Sequence, residues 1–252
     1  MSNWSIVDLT YIYDGSFEGL LTLVFNSYVS NTFPIQIYTK KNYENNILDT
    51  PKYIETDYTK AERIYNGIVK NISYDTLYYA YNSFLSNTPK KELTILEYLC
   101  NAFKIGPKIN TMLSIDYVFN TIAMSKNALG ECHKLKGLLR FSEIKNNLYY
   151  ASIHPDNNIL EPLGQHFIRR LPTQNFIIHD KNQNIVFLYN TKTYRIINDI
   201  VLPNIQISDA EQEYRELWKK FFNTIAIKER TNPRLQMQYM PKKYWQDLTE
   251  KN

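Results

Sequence analysis

Apolar residues recur on two different periods along this chain, and the change of period divides it. An apolar, β-favouring run at 5–13 is broken by Asp14-Gly15-Ser16 and followed by Phe17, Leu20, Leu21, Val24, Phe25, Tyr28 and Val29. That spacing predicts one buried face of an amphipathic helix. Gly15 supplies the turn, and Ser16 is placed to accept a hydrogen bond from a free N–H of the first turn. Strand, turn and helix therefore meet at Asp14, with Glu18 one turn into the helix. A second strand candidate at 52–56 leads into Asp57, after which Ala61, Ile64, Tyr65 and Ile68 mark another helix. Further helices are predicted at 74–85, 89–103 and 115–129, the middle one starting at Thr88-Pro89 because proline at the first helical position loses no needed N–H. Residues 57–132 thus read as a helical subdomain.

From residue 136 the period drops to two. Segments 138–144 and 148–154 are joined by an Asn-rich turn, as are 175–180 and 185–190, and both pairs read as β-hairpins. Between them a helix at 157–171 carries Ile159, Leu160, Leu163, Phe167 and Leu171 inward. A short strand at 194–197 extends the sheet. Ser208 and Glu211 form a capping-box pattern that opens a helix with Leu217, Phe221, Phe222 and Ile225 on its apolar face. Asn232-Pro233 and Pro241 each suit the start of a short helix. The expected architecture is α+β, with a mainly antiparallel sheet and a helical subdomain inserted between the N-terminal strand and the later hairpins. One compact domain over 1–252 is expected, comprising the helical part 57–132, a sheet-rich part 136–200 and basic C-terminal helices 208–250.

Composition narrows the function classes. A hydrophobic fraction of 44% over 252 residues argues against intrinsic disorder, and a net charge of +4 excludes a polycation or an acidic tail. Tyr is abundant, at 21, but Tyr, Asn, Ile and Lys share A/T-rich codons, so most of these rings are assigned to codon bias and core packing. The two cysteines, Cys100 and Cys132, form no CxxC pair, which argues against a disulfide scaffold or a Cys-rich metal site. No basic-then-apolar leader and no run of 18 apolar residues is present, so a cytoplasmic location is expected.

The charge is unevenly spread. Residues 215–251 hold nine Lys and Arg against four Asp and Glu, a charge of +5 that leaves the rest of the chain at −1. Within this tail Arg230, Asn232, Arg234, Tyr239, Lys242, Lys243, Tyr244 and Trp245 interleave cations, amides and aromatic rings. Cations suit phosphates, and rings and amides suit bases. The competing reading is a solvated pair of helices whose Tyr and Trp pack on the core. Arg169 and Arg170 point in different directions from the helix that carries His166, and Arg140 shares a strand with Ser142. His133, His154, His166 and His179 show neither HxxxH nor HxH spacing, so no metal site is assigned. Asp14 and Glu18 are candidates for paired carboxylates, although Asp-Gly-Ser is more often a turn and cap. Glycine-rich nucleotide loops and GxSxG are absent, and no cofactor is expected.

Several ordered strings then make the sequence recognisable. They are Tyr13-Asp14-Gly15-Ser16-Phe17-Glu18-Gly19, Thr56-Asp57 with Lys60-Ala61 and Arg63, and Gly137 with Leu139-Arg140-Phe141. Pro155-Asp156 through His166-Phe167, Arg169-Arg170 and Pro172 follow, and then Glu229-Arg230, Asn232-Pro233 and Tyr244-Trp245. Together they resemble a bacterial family of unknown function associated with DNA metabolism and DNA repair. Members are typically encoded beside a radical SAM protein similar to spore photoproduct lyase, and longer members carry a C-terminal uracil-DNA glycosylase-like domain. The chain looks like the short form, so glycosylase activity is not carried over to it. Lys134 and Lys243 stand where the family often has Arg, which keeps the charge and loses bidentate contact.

The resemblance implies a DNA-repair accessory or processing factor that binds DNA through Arg140, Arg169, Arg170, Arg230, Asn232, Arg234, Lys242 and Lys243, with Tyr239, Tyr244 and Trp245 as stacking positions. Two other readings remain open. One is a docking partner of the radical SAM protein that makes no DNA contact, and the other is a hydrolase or lyase using Asp14, Glu18, His133 or His166.

Overall fold

The structure, a computed structural model, describes residues 4–44, 51–145, 147–198, 209–225 and 232–251. The chain forms two compact units, Met1–Ala128 and Leu129–Asn252.

The first unit opens on strand β1 (Ser5–Tyr13), helix α1 (Phe17–Ser30) and strand β2 (Thr32–Thr39), followed by strand β3 (Pro51–Tyr53). Both neighbours run parallel to β1, in the order β2-β1-β3. Parallel pairing requires a crossover, and α1 supplies it between β1 and β2. Tyr11, Ile12 and Tyr13 are consecutive and all buried, as expected for the centre of a parallel sheet covered on both faces. This corrects the expectation of a mainly antiparallel fold. β2 is the element the hydrophobic pattern does not announce, because Pro34 interrupts it. Pro34 is tolerated on an outer strand, opposite Val7, where the register shifts between Val7 and Thr10.

The turn into α1 forms as its chemistry dictates. Gly15 takes a φ of +85°, and the Ser16 hydroxyl accepts from the Gly19 N–H at 2.9 Å. A Cβ on Gly19 would lie 2.4 Å from Asp14 Oδ1 and 2.9 Å from the buried Tyr13 ring, so a larger residue here would push the Asp14 side chain out of its turn. Helix α2 (Tyr58–Asn71) is capped by Asp57, whose side chain accepts from the Lys60 N–H. Helices α3 (Tyr74–Phe84) and α4 (Lys91–Ile105) complete the core with α1 and α2. The proline start signal at Thr88-Pro89 does not open α4. The helix begins after Lys90, which sits in the left-handed region at φ 59°. Ile95, Leu96, Tyr98, Leu99 and Cys100 are all buried, so this helix is apolar nearly all round, as a central helix must be.

Helix α5 (Asp116–Leu138) runs nine residues past its expected end at 129 and takes up Leu138, the first residue of an expected strand. Gly130 and Gly137 fall inside it and weaken the local helical signal without ending it. The second unit then forms strands β4 (Ser142–Lys145), β5 (Leu148–Ile153), β6 (Asn175–Asp180), β7 (Ile185–Tyr189) and β8 (Tyr194–Asn198) in sequential order. The second hairpin and the extra strand form as expected, while the first hairpin forms with a shorter leading strand that starts at Ser142 rather than 138. The β5–β6 pair is parallel, however, so this sheet is mixed. Helix α6 (Leu160–Arg170) makes that crossover. Gly164 lets it lie close to the sheet, since a Cβ there would come within 2.4 Å of the Phe187 ring. Helix α7 (Asp209–Ile225), helix α8 (Pro233–Tyr239) and 3-10 turns at Lys242–Asp247 and Thr249–Lys251 follow. Phe221 on α7 is largely exposed rather than buried. The side chains of Phe222 and Ile225, like Ser208, lie outside the described residues. Among the described residues no helix is long and apolar enough to cross a membrane.

Candidate functional site: a cation-lined pocket and an aromatic groove

In the second unit, strand alternation places Ala151 and Ile153 in the core and turns Tyr150 and Ser152 to the opposite face. Ser142 pairs with Tyr150 across β4–β5, and His179 pairs with Ser152 across β5–β6, so that face is polar. A pocket of about 140 Å³ opens here, lined by Arg140, Ser142, Tyr150, Ser152, Arg215, Lys219, Gln246, Asp247 and Thr249. Three cations, four hydroxyls and an amide face one carboxylate.

Most of the charged groups are held in place. Arg140 Nη2 donates to Glu250 Oε1 at 2.8 Å and Nε to Oε2 at 3.4 Å, while Nη1 donates to the Gly137 carbonyl. Trp218 Nε1 donates to the same Glu250 carboxylate at 3.0 Å. Burial works to raise the Glu250 pKa, but the donors Arg140 and Trp218 prevail and hold it below the usual range. Arg215 Nη2 donates to Ser142 Oγ at 2.6 Å, and its Nε reaches Glu211 at 3.4 Å. Lys219 is exposed and has no ion pair among the described residues.

Beneath the cations Ser152 Oγ donates to Asp247 Oδ1 at 2.7 Å, and His154 Nδ1 lies 2.9 Å from Oδ2. The serine hydroxyl is therefore spent on the carboxylate and does not face the imidazole, which is not the arrangement of an activated serine nucleophile. Tyr150 OH lies 3.0 Å from His179 Nδ1; burial, reinforced by Asp247, pushes the phenol up to about 12. Burial, then Lys181, pushes the His179 pKa down. Among the described residues no group of metal-ligating side chains is placed to hold an ion.

A separate network anchors the C-terminal turns. Glu131 is buried and accepts from the Asp156 N–H at 3.0 Å, the Asn157 N–H at 2.9 Å, Asn157 Nδ2 at 2.7 Å, Lys243 Nζ at 2.7 Å and Tyr244 OH at 2.6 Å. Burial would raise its pKa, yet these donors together hold it low. Lys243 also pairs with Asp156, and these acceptors hold its ammonium charged against the opposing effect of burial. Lys243 and Tyr244 thus tie the fold together. Tyr244 is 2% exposed and offers no ring face for stacking.

The remaining candidates fall as follows. Asp14 is an exposed turn residue: Oδ1 accepts from the Ser16 N–H and hydroxyl, and Oδ2 from Thr56 Oγ1 at 2.6 Å. Burial is the largest single influence and works to raise its pKa, but the hydrogen bonds from Ser16 and Thr56, with Lys40, together lower it overall. Both oxygens are committed to the turn, which is the cap reading of Asp-Gly-Ser. His133 is exposed on α5, and His166 is partly exposed on α6, its pKa depressed by burial and then by Lys136, Arg169 and Arg170. Neither lines the pocket. Arg169 and Arg170 are exposed in the last turn of α6. Arg230 lies outside the described residues. Asn232 caps α8 by accepting from the Leu235 N–H at 3.0 Å, and Arg234, Tyr239 and Lys242 are exposed. Trp245 donates to the Met240 carbonyl and lies between Lys242 and Lys251, whose ammonium groups are 5.9 and 4.5 Å from the ring centre.

Glu18 belongs to a different feature. In the first unit it lines a groove of about 530 Å³ between α1, α2 and α3, together with Glu62 and five tyrosines.

Sequence reasoning found Arg140, with Ser142 beside it, and missed the rest of the pocket. Arg215 and Lys219 were legible as an i, i+4 pair of cations in the basic segment. Asp247 and Ser152 were not, because they lie 95 residues apart in sequence.

The second unit is therefore a mixed-sheet α/β structure with a small polar, cation-lined pocket. Residues 89–250 match the family described as a domain of unknown function (DUF4130), and the chain belongs to that family. No curated protein matches the chain.

Proposed function

We propose that this protein binds nucleic acid by seating a backbone phosphate in the second unit's pocket, as an accessory or processing factor in DNA metabolism. The observation that carries this reading is the lining itself: Arg140, Arg215 and Lys219 with the hydroxyls of Ser142 and Thr249. Cations with hydroxyl donors are the groups that contact phosphate oxygens. Glu250 and Glu211 behind two of the arginines fix the guanidinium directions at the cost of part of their charge, so a single pocket gives modest affinity. The exposed Arg234, Lys242 and Tyr239 would extend the contact along a strand, with Trp245 as a partly covered ring. The resemblance to a family tied to DNA repair favours DNA, and favours a radical SAM protein as the working partner.

Binding of a labelled duplex and a labelled single-stranded oligonucleotide, followed by fluorescence anisotropy at low salt, tests the proposal. Both should bind, and Arg215→Ala/Lys219→Ala should weaken binding by about tenfold. Absence of binding at low salt would sink it. The hydrolase or lyase reading draws no support from Asp14, whose oxygens are spent on its turn, or from His133 and His166, which stand apart from the pocket.

A further inference from the structure

The groove of the first unit carries different chemistry. Tyr58, Glu62 and Tyr65 lie at i, i+4 and i+7 on α2, and Tyr74, Tyr78 and Tyr81 repeat that spacing on α3. Each set forms one stripe along its helix, about 10 Å long at 1.5 Å per residue. Glu18 stands on the third wall, and Leu21, Ala61 and Leu77 form the apolar floor. Among the described residues no Lys or Arg is in the lining. Two of the basic residues of α2 are engaged elsewhere: Lys60 pairs with Asp57, and Lys60 and Arg63 both lie over the Phe25 ring, while Lys70 stands in the last turn, outside the lining. Glu18 and Glu62 have no ion pair or side-chain hydrogen bond among the described residues.

Tyrosine faces and carboxylates both attract cations, and among the described residues the lining holds no positive charge to attract an anion. Nucleic acid is disfavoured, because bases stacked on these rings would bring their phosphates against two carboxylates. A free small cation fits poorly as well, since Tyr58 and Tyr74 remain 73% and 66% exposed and would leave it largely in water. An extended occupant covers both stripes. We infer that this groove docks a peptide segment of a partner protein, with an arginine or lysine held between the tyrosines by Glu18 and Glu62 and apolar side chains on the floor. The groove, formed by residues 17–81, lies wholly outside the stretch that matches the family, 89–250, and the inference is independent of the phosphate pocket.

The test uses the full chain and a fluorescein-labelled amphipathic peptide of leucine and arginine at helical spacing, beside the same peptide with glutamate for arginine. The arginine peptide should bind and the glutamate peptide should not. Affinity should fall by about tenfold in Glu18→Gln/Glu62→Gln and in Tyr58→Ala/Tyr74→Ala, all of which alter exposed side chains, and should be unchanged in Arg215→Ala/Lys219→Ala. Failure of the wild type to bind the arginine peptide, equal binding of both peptides, or indifference to the groove variants would overturn the inference. So would binding of a single-stranded oligonucleotide that is lost in Tyr58→Ala/Tyr74→Ala, which would make the groove a base-stacking surface.

Discussion

The two cavities of this protein use their polar groups in opposite ways. In the second unit nearly every charged side chain around the pocket is held by another: Arg140 by Glu250, Arg215 by Ser142 and Glu211, and Asp247 by Ser152 and His154. In the first unit Tyr58 and Tyr74 are largely exposed, and Glu18 and Glu62 are exposed, beside an apolar floor. A pre-oriented cluster suits a small, rigid group such as phosphate, because the donors lose little freedom when it binds. An open aromatic groove suits a partner that brings its own shape and shields the rings from water.

The contrast makes stability the first way to break the comparison. Glu131→Ala would strand the donors of Asp156, Asn157, Lys243 and Tyr244 and should cost about 3 kcal/mol in urea unfolding. Because the Glu131 pKa is depressed in the fold, its contribution is fully present above about pH 5 and is lost as the pH falls through the folded value. A stability that rose on acidification between pH 5 and 3 would contradict that sign. Gly164→Ala, with its new Cβ against Phe187, should cost about 2 kcal/mol by overpacking. Asp14→Ala removes the acceptor of three donors in an exposed turn, and a loss of about 1 kcal/mol is expected in thermal unfolding. Tyr74→Ala, at the open groove, should change stability by less than about 0.5 kcal/mol. A large loss there would show that the groove is part of the structural core and remove the contrast.

What was legible in the sequence follows the range of the interactions. The Ser16 cap and the cap at Asp57 depend on neighbours three residues away, and both are readable from residue types. The second hairpin is readable for the same reason. Glu131 was not, because its partners at Asn157 and Tyr244 lie 26 and 113 residues away. Tyr244 was read as a stacking residue since an aromatic ring beside two lysines looks the same whether it faces water or a buried carboxylate. β2 was hidden by Pro34, and the end of α5 by two glycines that tertiary packing overrides. The groove tyrosines carried a signal, the repeated i, i+4, i+7 spacing at 58, 62, 65 and at 74, 78, 81, which the abundance of tyrosine in the chain masked.

The phosphate pocket is the central functional claim, and the salt dependence of DNA binding tests it most directly. On duplex DNA the slope of log affinity against log salt should become shallower by about 0.9 for each phosphate contact removed, so by up to about 1.8 in Arg215→Ala/Lys219→Ala if each contacts a phosphate. An unchanged slope in that variant would show that DNA does not enter the pocket.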